Sequence, residues 1–431
     1  MPVTSPSAPT VRARRLASTF YLYAFLDEFV LLYPVYALLF TDTGLSVPQI
    51  SSLFVIWSLT GVVLEVPSGV LADAVSRRLL LVVAPLLGAV GFGLWVAAPS
   101  YQVFALGFVL WGVRGALQSG AAEALVYDEL DRLRLADRYG RVVGRASTAG
   151  LLGALLAIAV ASPVFAAGGY PAVGIASVLA SLLCAAVGLA LPEHRTPAPA
   201  SAVPAEPGVA GGAASGPFAI LRAALAEARG NRAVRRALLI LPAMVGIWGG
   251  LEEYVPLLAG EVAPVSRVPL LVLLVWVGVM LGGLLTPLGQ RLTARRFAGT
   301  VATASVALAV GALAGRPAGF VLVAVAFCLL QTTSLVAGVR LQESIDGPAR
   351  ATVTSLAGLG AALVTIGVYG GYALASTVAG HGVVFGLLAA PYLLLAVGLV
   401  RAGAPRRIRP VAAGRDAAGP DVAPADAGRA G

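Results

Sequence analysis

Residues 69–78 read GVLADAVSRR and form a short charged segment between two long apolar runs. Runs of 18 or more apolar residues are typical of membrane-spanning helices, and both neighbours of this segment reach that length. The chain as a whole is 58% hydrophobic and only 12% charged. In a soluble protein, about a quarter of the residues would be charged. The sequence therefore predicts an integral membrane protein.

Glycine, proline and charged residues divide the chain into twelve predicted spans. The first six cover about 16–40, 48–70, 79–98, 101–125, 144–166 and 170–191. The second six cover about 236–258, 268–289, 297–314, 318–341, 351–377 and 382–401. Between the two blocks lies TPAPASAVPAEPGVAGGAASGP, a composition that cannot pack a core.

The domain boundaries follow from this division. We predict a cytoplasmic tail over residues 1–15, six-helix bundles over 16–191 and 236–402, a cytoplasmic linker over 192–235 and a disordered tail over 403–431. The linker contains FAILRAALAEARGNRAVRR, an amphipathic basic stretch suited to a membrane surface.

All 30 basic residues are arginine, and they are unevenly distributed between the two sides of the membrane. If the spans alternate in direction, 27 of them fall on the side that carries both termini. Only Arg267 and Arg316 fall on the other side, and Arg114 lies within a span. Because basic residues concentrate in cytoplasmic loops, we predict a multi-pass protein of the inner cell membrane with both termini in the cytoplasm. Nucleic acid is not an expected partner, since this topology explains the net charge of +9.

Metal, disulfide and nucleotide chemistry find little support in the sequence. Cys184 and Cys328 lie in separate spans, and His194 and His381 lie far apart. These residues predict neither a disulfide framework nor a metal site. A GxxxxGK[ST] nucleotide-binding pattern does not occur in the sequence.

Two adjacent acids, Asp27 and Glu28, lie near the middle of the first predicted span. Charged side chains within a membrane are costly and usually face a water-filled cavity or a bundle interior. The seventh span carries LEEYV where the first carries LDEFV, so Glu252 and Glu253 repeat the pair at the equivalent place. Internal repeats with a site at their interface are typical of transporters. We therefore predict that the four acids line a cavity between the two bundles.

The segment 69–78 resembles the motif that the major facilitator superfamily carries between its second and third helices. The matching residues are Gly69, Asp73, Arg77 and Arg78. Ala74 and Ser76 stand where the family has arginine and glycine. The resemblance implies an all-α integral membrane protein with 12 transmembrane helices in two pseudo-symmetric six-helix bundles.

In this family the motif is taken to hold the cytoplasmic side closed. The resemblance implies that Arg77 and Arg78 pair with acids at the end of helix 4, for which Glu123 and Asp128 are the candidates. Asp73 would pair with an arginine or cap the N-terminus of a neighbouring helix. Alternatively, the two arginines only enforce topology.

Residues 114–122, RGALQSGAA, resemble the fourth-helix motif of proton-coupled members, with Gln118 one position late. Arg114 lies deep in its span and needs a counter-charge, for which Asp27 or Glu28 is the choice. Opposite charge favours an ionised carboxylate and desolvation favours the neutral one. Such a pair could therefore exchange a proton as water access changes, or it could be a static pair that joins helices 1 and 4.

Exporters of the family often carry a Gly-Pro motif in helix 5, which this chain lacks. The glycines of that helix, Gly144, Gly150 and Gly153, are predicted instead to allow close helix packing. The direction of transport therefore stays open.

Proton-coupled secondary transport by alternating access is the leading functional hypothesis. It predicts export of small lipophilic or cationic compounds, as in the drug/proton antiporters that the chain resembles. The alternatives are an uptake permease for a small polar metabolite and, less favoured, a membrane-embedded enzyme, for which a catalytic set is missing. Possible substrate contacts are Tyr23, Tyr33, Gln118, Trp248 and Gln331. We expect a monomer that meets substrate, protons and lipid, with the proton gradient as energy source and no cofactor.

Overall fold

The computed structural model describes residues 8–194, 232–344 and 350–401. Over these residues the regular secondary structure is helical throughout. The α-helices of the first half are α1 (Ala8–Glu28), α2 (Tyr36–Asp42), α3 (Val47–Ala74), α4 (Arg77–Ala97), α5 (Tyr101–Gln118), α6 (Ala121–Arg132) and α7 (Tyr139–Leu189). Those of the second half are α8 (Arg232–Glu252), α9 (Val255–Gly260), α10 (Val268–Leu284), α11 (Thr286–Gln290), α12 (Ala294–Leu313), α13 (Gly319–Ser344), α14 (Arg350–Ala375) and α15 (His381–Arg401).

Within the described ranges these helices form twelve membrane-crossing rods. In the described part of the chain, nine helical stretches are long and apolar enough to cross a membrane. One of them contains two crossings, because non-helical backbone at Gly168 and Gly169 breaks α7, with φ 59 at Gly169. The two remaining rods, the first and the seventh, are each interrupted. The first consists of α1 and α2, and the seventh consists of α8 and α9. The predicted twelve-helix membrane fold is therefore confirmed.

The bounds differ from the predicted domains in two places. The first rod begins at Ala8, inside the predicted N-terminal tail, and the seventh begins at Arg232, inside the predicted linker. Most of the amphipathic stretch of the linker lies outside the described residues, and so does the C-terminal tail. The domain boundaries themselves stay a prediction.

The two halves meet along two helix pairs that the internal repeat relates to each other. The second rod, α3, packs against the eleventh, α14, and the fifth rod, the first part of α7, packs against the eighth, α10. A shift of six rods exchanges these two pairs. The sequence repeat therefore corresponds to a two-fold arrangement of the rods.

The helix ends define two faces of the molecule. We call the face with Ala8, Arg401 and the turns at 75–76, 133–138, 190–194 and 291–293 the arginine-rich face. The opposite face carries the turns at 43–46, 98–100, 168–169, 261–264, 314–318 and 376–380. In two turns of the arginine-rich face, a polar side chain caps the N-terminus of the next helix. Ser76 Oγ accepts the N–H of Leu79 at 3.1 Å, and Thr293 Oγ1 accepts that of Arg296 at 3.4 Å.

Glycines on α7 bring its backbone against α1. A Cβ added at Gly153 would lie 2.2 Å from the carbonyl oxygen of Phe25, and one at Gly150 would lie 3.3 Å from that of Ala24. Small residues allow such close approach between membrane helices. The structure therefore gives these two glycines their predicted packing role. Gly144 has no such role, because a Cβ there would meet nothing within 4 Å.

Substituting Gly153 with alanine is expected to destabilise the protein by about 1–3 kcal/mol, because the methyl group must displace backbone. Gly144→Ala is the matched control on the same helix and should stabilise the protein by up to about 1 kcal/mol, because alanine favours a helix more than glycine does. Thermal unfolding in detergent micelles compares the two variants. Equal midpoints for both would contradict the packing role of Gly153.

Candidate functional site

The first rod of each half is broken at its acid pair. In the first half α1 ends at Glu28, and residues 29–35 form turns before α2 begins at Tyr36. In the second half α8 ends at Glu252, and α9 begins at Val255. The last turn of a helix leaves carbonyl groups without intrahelical partners. The repeated acids lie at these helix ends, and the free carbonyl groups beside them need hydrogen-bond donors from other helices.

Arg114 supplies such a partner in the first half. Its Nη2 lies 2.6 Å from Asp27 Oδ1 and also donates to the backbone carbonyl of Asp27 at 2.6 Å. The side chains are 4% and 18% exposed, so the pair is largely shielded from solvent. A cation is favourable at the carboxyl end of a helix, where the carbonyl dipoles are negative. Of the two acids predicted to pair with Arg114, the structure therefore selects Asp27.

A second set of contacts surrounds this ion pair. Gln118 Nε2 donates to Asp27 Oδ1 at 2.7 Å and to the hydroxyl of Tyr23 at 3.0 Å, and Tyr23 donates to the carbonyl of Leu81 at 2.9 Å. Gly88 makes room for the guanidinium, since a Cβ there would lie 3.0 Å from Arg114 Nη1. Two predicted substrate contacts, Tyr23 and Gln118, are thus engaged in holding Asp27 and helix α4.

Glu28 has a different environment from its neighbour. Its side chain is half-buried and, over the described part of the chain, has neither a hydrogen-bond nor an ion-pair partner. Glu252 of the other half is close enough for the two carboxylates to interact electrostatically. Glu28 therefore presents a carboxylate that no cation of the described residues neutralises directly.

Asp27 and Glu28 line a cavity of about 810 Å³, which we call the N-half cavity. Its walls come from α1, α5, α6 and α7, and Trp276 of α10 completes it from the second half. Glu123 and Ser147 also line it, on the parts of α6 and α7 that approach the arginine-rich face. Ligand cavities typically measure about 300–1,000 Å³, so this one has room for a small molecule.

A second cavity of about 750 Å³, the C-half cavity, lies between α8, α13 and α14. These are rods seven, ten and eleven, the counterparts of the rods that line the N-half cavity. The structure brings the predicted contacts Trp248 and Gln331 together in its lining, which is otherwise mostly apolar. Trp248 Nε1 donates to Ser334 Oγ at 3.2 Å, so the indole is held in place. Tyr33 lies elsewhere, stacked on Trp111 at 5.3 Å.

On the side of the molecule away from the arginine-rich face, contacts between the two halves close the space between them. Tyr36 donates a hydrogen bond to Glu253, and Tyr254 donates to Ser51 Oγ at 2.7 Å. The ring of Phe54 lies 5.3 Å from that of Tyr254. The aromatic layer around these contacts consists of Tyr36, Phe40, Phe54, Trp95, Phe104, Phe108 and Trp111 from the first half and Tyr254, Tyr369 and Tyr372 from the second. Glu253 therefore joins the two halves rather than standing free.

The motif segment forms part of a polar network at the arginine-rich face. Arg77 forms an ion pair with Asp128, and Glu193 accepts hydrogen bonds from the Ser76 hydroxyl and, at 2.9 Å, from the Arg77 N–H. Arg78 is exposed, and the described residues offer it no ion pair. The Arg77–Asp128 pair lies within the first half, so it does not by itself join the halves.

The other predicted gate residues are less engaged. Glu123 contacts only the hydroxyl of Tyr139, at 3.5 Å, among the hydrogen bonds that the described residues make. The backbone of Gly69 and Asp73 lies in α3, but the side chain of Asp73 is outside the described part of the structure. The latch role of Asp73 therefore stays a prediction.

Sequence reasoning missed several residues of the site. Tyr36 and Trp276 lie in apolar runs where aromatic residues are common, so nothing in the sequence singles them out. Glu193 carried a weak signal, because it directly follows Pro192 at the end of a predicted span and so marks a helix end.

Over the described residues, twelve membrane-crossing rods in two related halves, with cavities on equivalent helices, define the architecture of a membrane transporter. The profile of the Major Facilitator Superfamily matches residues 18–365. The chain belongs to this family of secondary transporters. No curated protein sequence matches it.

Solved structures of transporters share the fold. The nucleoside transporter NupG is 15% identical, with 90% of this chain and 98% of that chain covered and a TM-score of 0.67. An auto-inhibited POT family peptide transporter is 16% identical, with 95% of this chain and 99% of that chain covered and a TM-score of 0.67. A bacterial homolog of the human lysosomal transporter Spinster, in an inward-facing and unoccupied conformation, is 16% identical, covering 92% and 94%, with a TM-score of 0.59. At these identities the likeness concerns the fold alone.

Proposed function

We propose that this chain is a proton-coupled exporter of small lipophilic cations, working by alternating access in the inner cell membrane. The observation that carries the proposal is Glu28, an acid at the end of a broken helix that lines a cavity and forms no ion pair within the described residues. Broken helices whose ends face the centre of the bundle form the ion and substrate sites of many secondary transporters.

Coupling follows from the charges of the site. The charge of Asp27 is neutralised by Arg114, whereas an ionised Glu28 leaves a negative charge on the cavity wall. Within a membrane such a charge is costly until a counter-ion arrives. A proton and a cationic substrate both neutralise the same carboxylate, so they would occupy the site in turn. Exchange of one for the other is antiport.

The two cavities suit an amphiphile better than a polar metabolite. The N-half cavity offers carboxylates and amides, and the C-half cavity offers Trp248 and a largely apolar wall. With the arginine-rich face in the cytoplasm, both cavities lie on the cytoplasmic side of the aromatic layer. Export would then require the contacts Tyr36–Glu253 and Tyr254–Ser51 to break and the cytoplasmic side to close.

Purified protein in proteoliposomes with an acidic interior and an internal pH dye tests this function. Addition of an aromatic quaternary ammonium ion outside should raise the internal pH, because protons leave as the cation enters. Empty liposomes provide the control. A panel of uncharged polar metabolites, added to the same vesicles, tests the alternative that the protein is an uptake permease. Proton movement with a polar metabolite and none with any organic cation would overturn the proposal in favour of a permease.

A further inference from the structure

Trp276 lines the N-half cavity from the second half of the molecule. It is the only residue among those that line this cavity in the described structure to come from the second half. It lies on α10, the helix that packs against α7 across the boundary between the halves. A ligand that contacts both Trp276 and the wall of α1 therefore touches both halves of the transporter.

The other tryptophans of the chain are engaged with neighbours. Trp57 and Trp111 pack on each other with ring centroids 5.2 Å apart, and Trp95 Nε1 donates to the carbonyl of Phe104 at 3.2 Å. Trp248 is held by Ser334. Trp276 is half-buried, and within the described residues its ring has no aromatic partner and its indole N–H no hydrogen bond. Trp276 packs partly against the apolar core, and the part of its surface that lines the cavity is available to a ligand.

Glu28 lines the same cavity as Trp276, whereas the other acid beside it is occupied. Asp27 Oδ1 already accepts hydrogen bonds from Arg114 and Gln118. The rest of the wall near Glu28 is small, with Gly150 and Ala154 in the lining, so bulk on the ligand can be accommodated. An aromatic face together with an unpaired carboxylate is the combination that binds organic ammonium groups.

We propose that Trp276 is a specificity-determining residue that selects organic cations, its indole face and the Glu28 carboxylate holding a substituted ammonium group between them. The inference rests on the proposed function and deepens it. Because the ammonium group contacts α1 and α10 together, binding ties the two halves to each other. Uncharged molecules of the same shape gain only apolar contact from the indole face, and inorganic cations keep their hydration shell, so both are discriminated against.

A matched pair of ligands tests this role on the purified full-length protein in nanodiscs. The pair consists of phenethyltrimethylammonium and its uncharged carbon isostere, and binding is measured as Kd. We expect Trp276→Leu to weaken binding of the cation about 5- to 30-fold, the range of a partly desolvated cation–π contact. Binding of the isostere should change much less, because leucine still offers apolar surface. Trp276→Phe should retain part of the preference, and it serves as the test variant if the leucine variant does not fold.

Leu274→Ala provides the control, since this exposed side chain lies on the same helix and outside both cavities. It should leave both Kd values unchanged. Equal losses for cation and isostere in Trp276→Leu, or no loss at all, would overturn the inference. If wild-type protein exchanges the cation for protons while Trp276→Leu keeps the cation preference, the inference alone fails. If wild-type protein binds no organic cation, the proposed function fails as well.

Discussion

Replacing Arg114 with leucine is expected to destabilise the protein by about 3–5 kcal/mol, the usual cost of leaving a buried charge without its partner. The guanidinium holds the carboxylate of Asp27 and also its backbone carbonyl, both at 2.6 Å. The substitution therefore removes two contacts from the end of α1, at a depth where water cannot readily replace them. The free energy of unfolding, measured by denaturant titration in detergent, gives the size of the loss.

The double variant Asp27→Asn with Arg114→Leu separates the cost of an unpaired charge from that of lost packing. It should recover part of the stability, because the uncompensated carboxylate is gone. Arg78→Leu makes the same change at an exposed position of the arginine-rich face and should stay within about 0.5 kcal/mol of wild type. If Arg114→Leu is as stable as Arg78→Leu, the ion pair does not hold the first and fourth rods together.

Most of the fold could be predicted from the sequence, because in a membrane the length and polarity of each segment decide whether it crosses. The apolar runs around residues 69–78 became α3 and α4, and the polar residue Ser76 starts α4 as a helix cap. The breaks within rods were harder to foresee. The carboxyl end of α1 is stabilised by Arg114, which lies on another helix and donates to the Asp27 carbonyl, so only tertiary structure reveals where α1 ends.

The candidate site was predictable in its charges and less so in their partners. The acids of the repeat stand out because each charge in an apolar run requires an explanation. Their environments then diverge, since Asp27 is paired with Arg114, Glu253 accepts a hydrogen bond from Tyr36, and Glu28 has neither kind of contact in the described residues. Adjacent residues of a helix point about 100° apart, so sequence alone could not tell which of two neighbouring acids would face a cation.

The different environments of Asp27 and Glu28 decide which of the two acids we assign to proton coupling. The sequence predicts proton exchange for the acid, Asp27 or Glu28, that pairs with Arg114. In the structure Asp27 accepts hydrogen bonds from Arg114 and Gln118, and these contacts fit a positioning role. Glu28 lines the same cavity without such donors, and we therefore assign the exchange of protons to Glu28 as part of the proposed function.

Substitution of Glu28 by glutamine is accordingly expected to abolish cation-driven proton movement. Glutamine keeps the shape of the side chain but carries no charge and binds no proton, so the cavity is held in the state of a permanently protonated acid. In the proteoliposome assay the internal pH should respond to the cation no more than in empty liposomes. Folding should survive, because the carboxylate makes no ion pair with the described residues.

Binding provides the second readout of the same variant. If a proton and the cation compete for Glu28, binding of the cation to wild-type protein weakens as the pH falls, and linkage requires that the cation displace protons. Glu28→Gln should bind the cation more weakly and show a flatter dependence on pH. Glu65→Gln makes the same change at an exposed position of α3, outside both cavities, and should behave as wild type. Cation-driven proton movement at the wild-type rate in Glu28→Gln would exclude Glu28 from the coupling mechanism and return the role to another acid of the repeat.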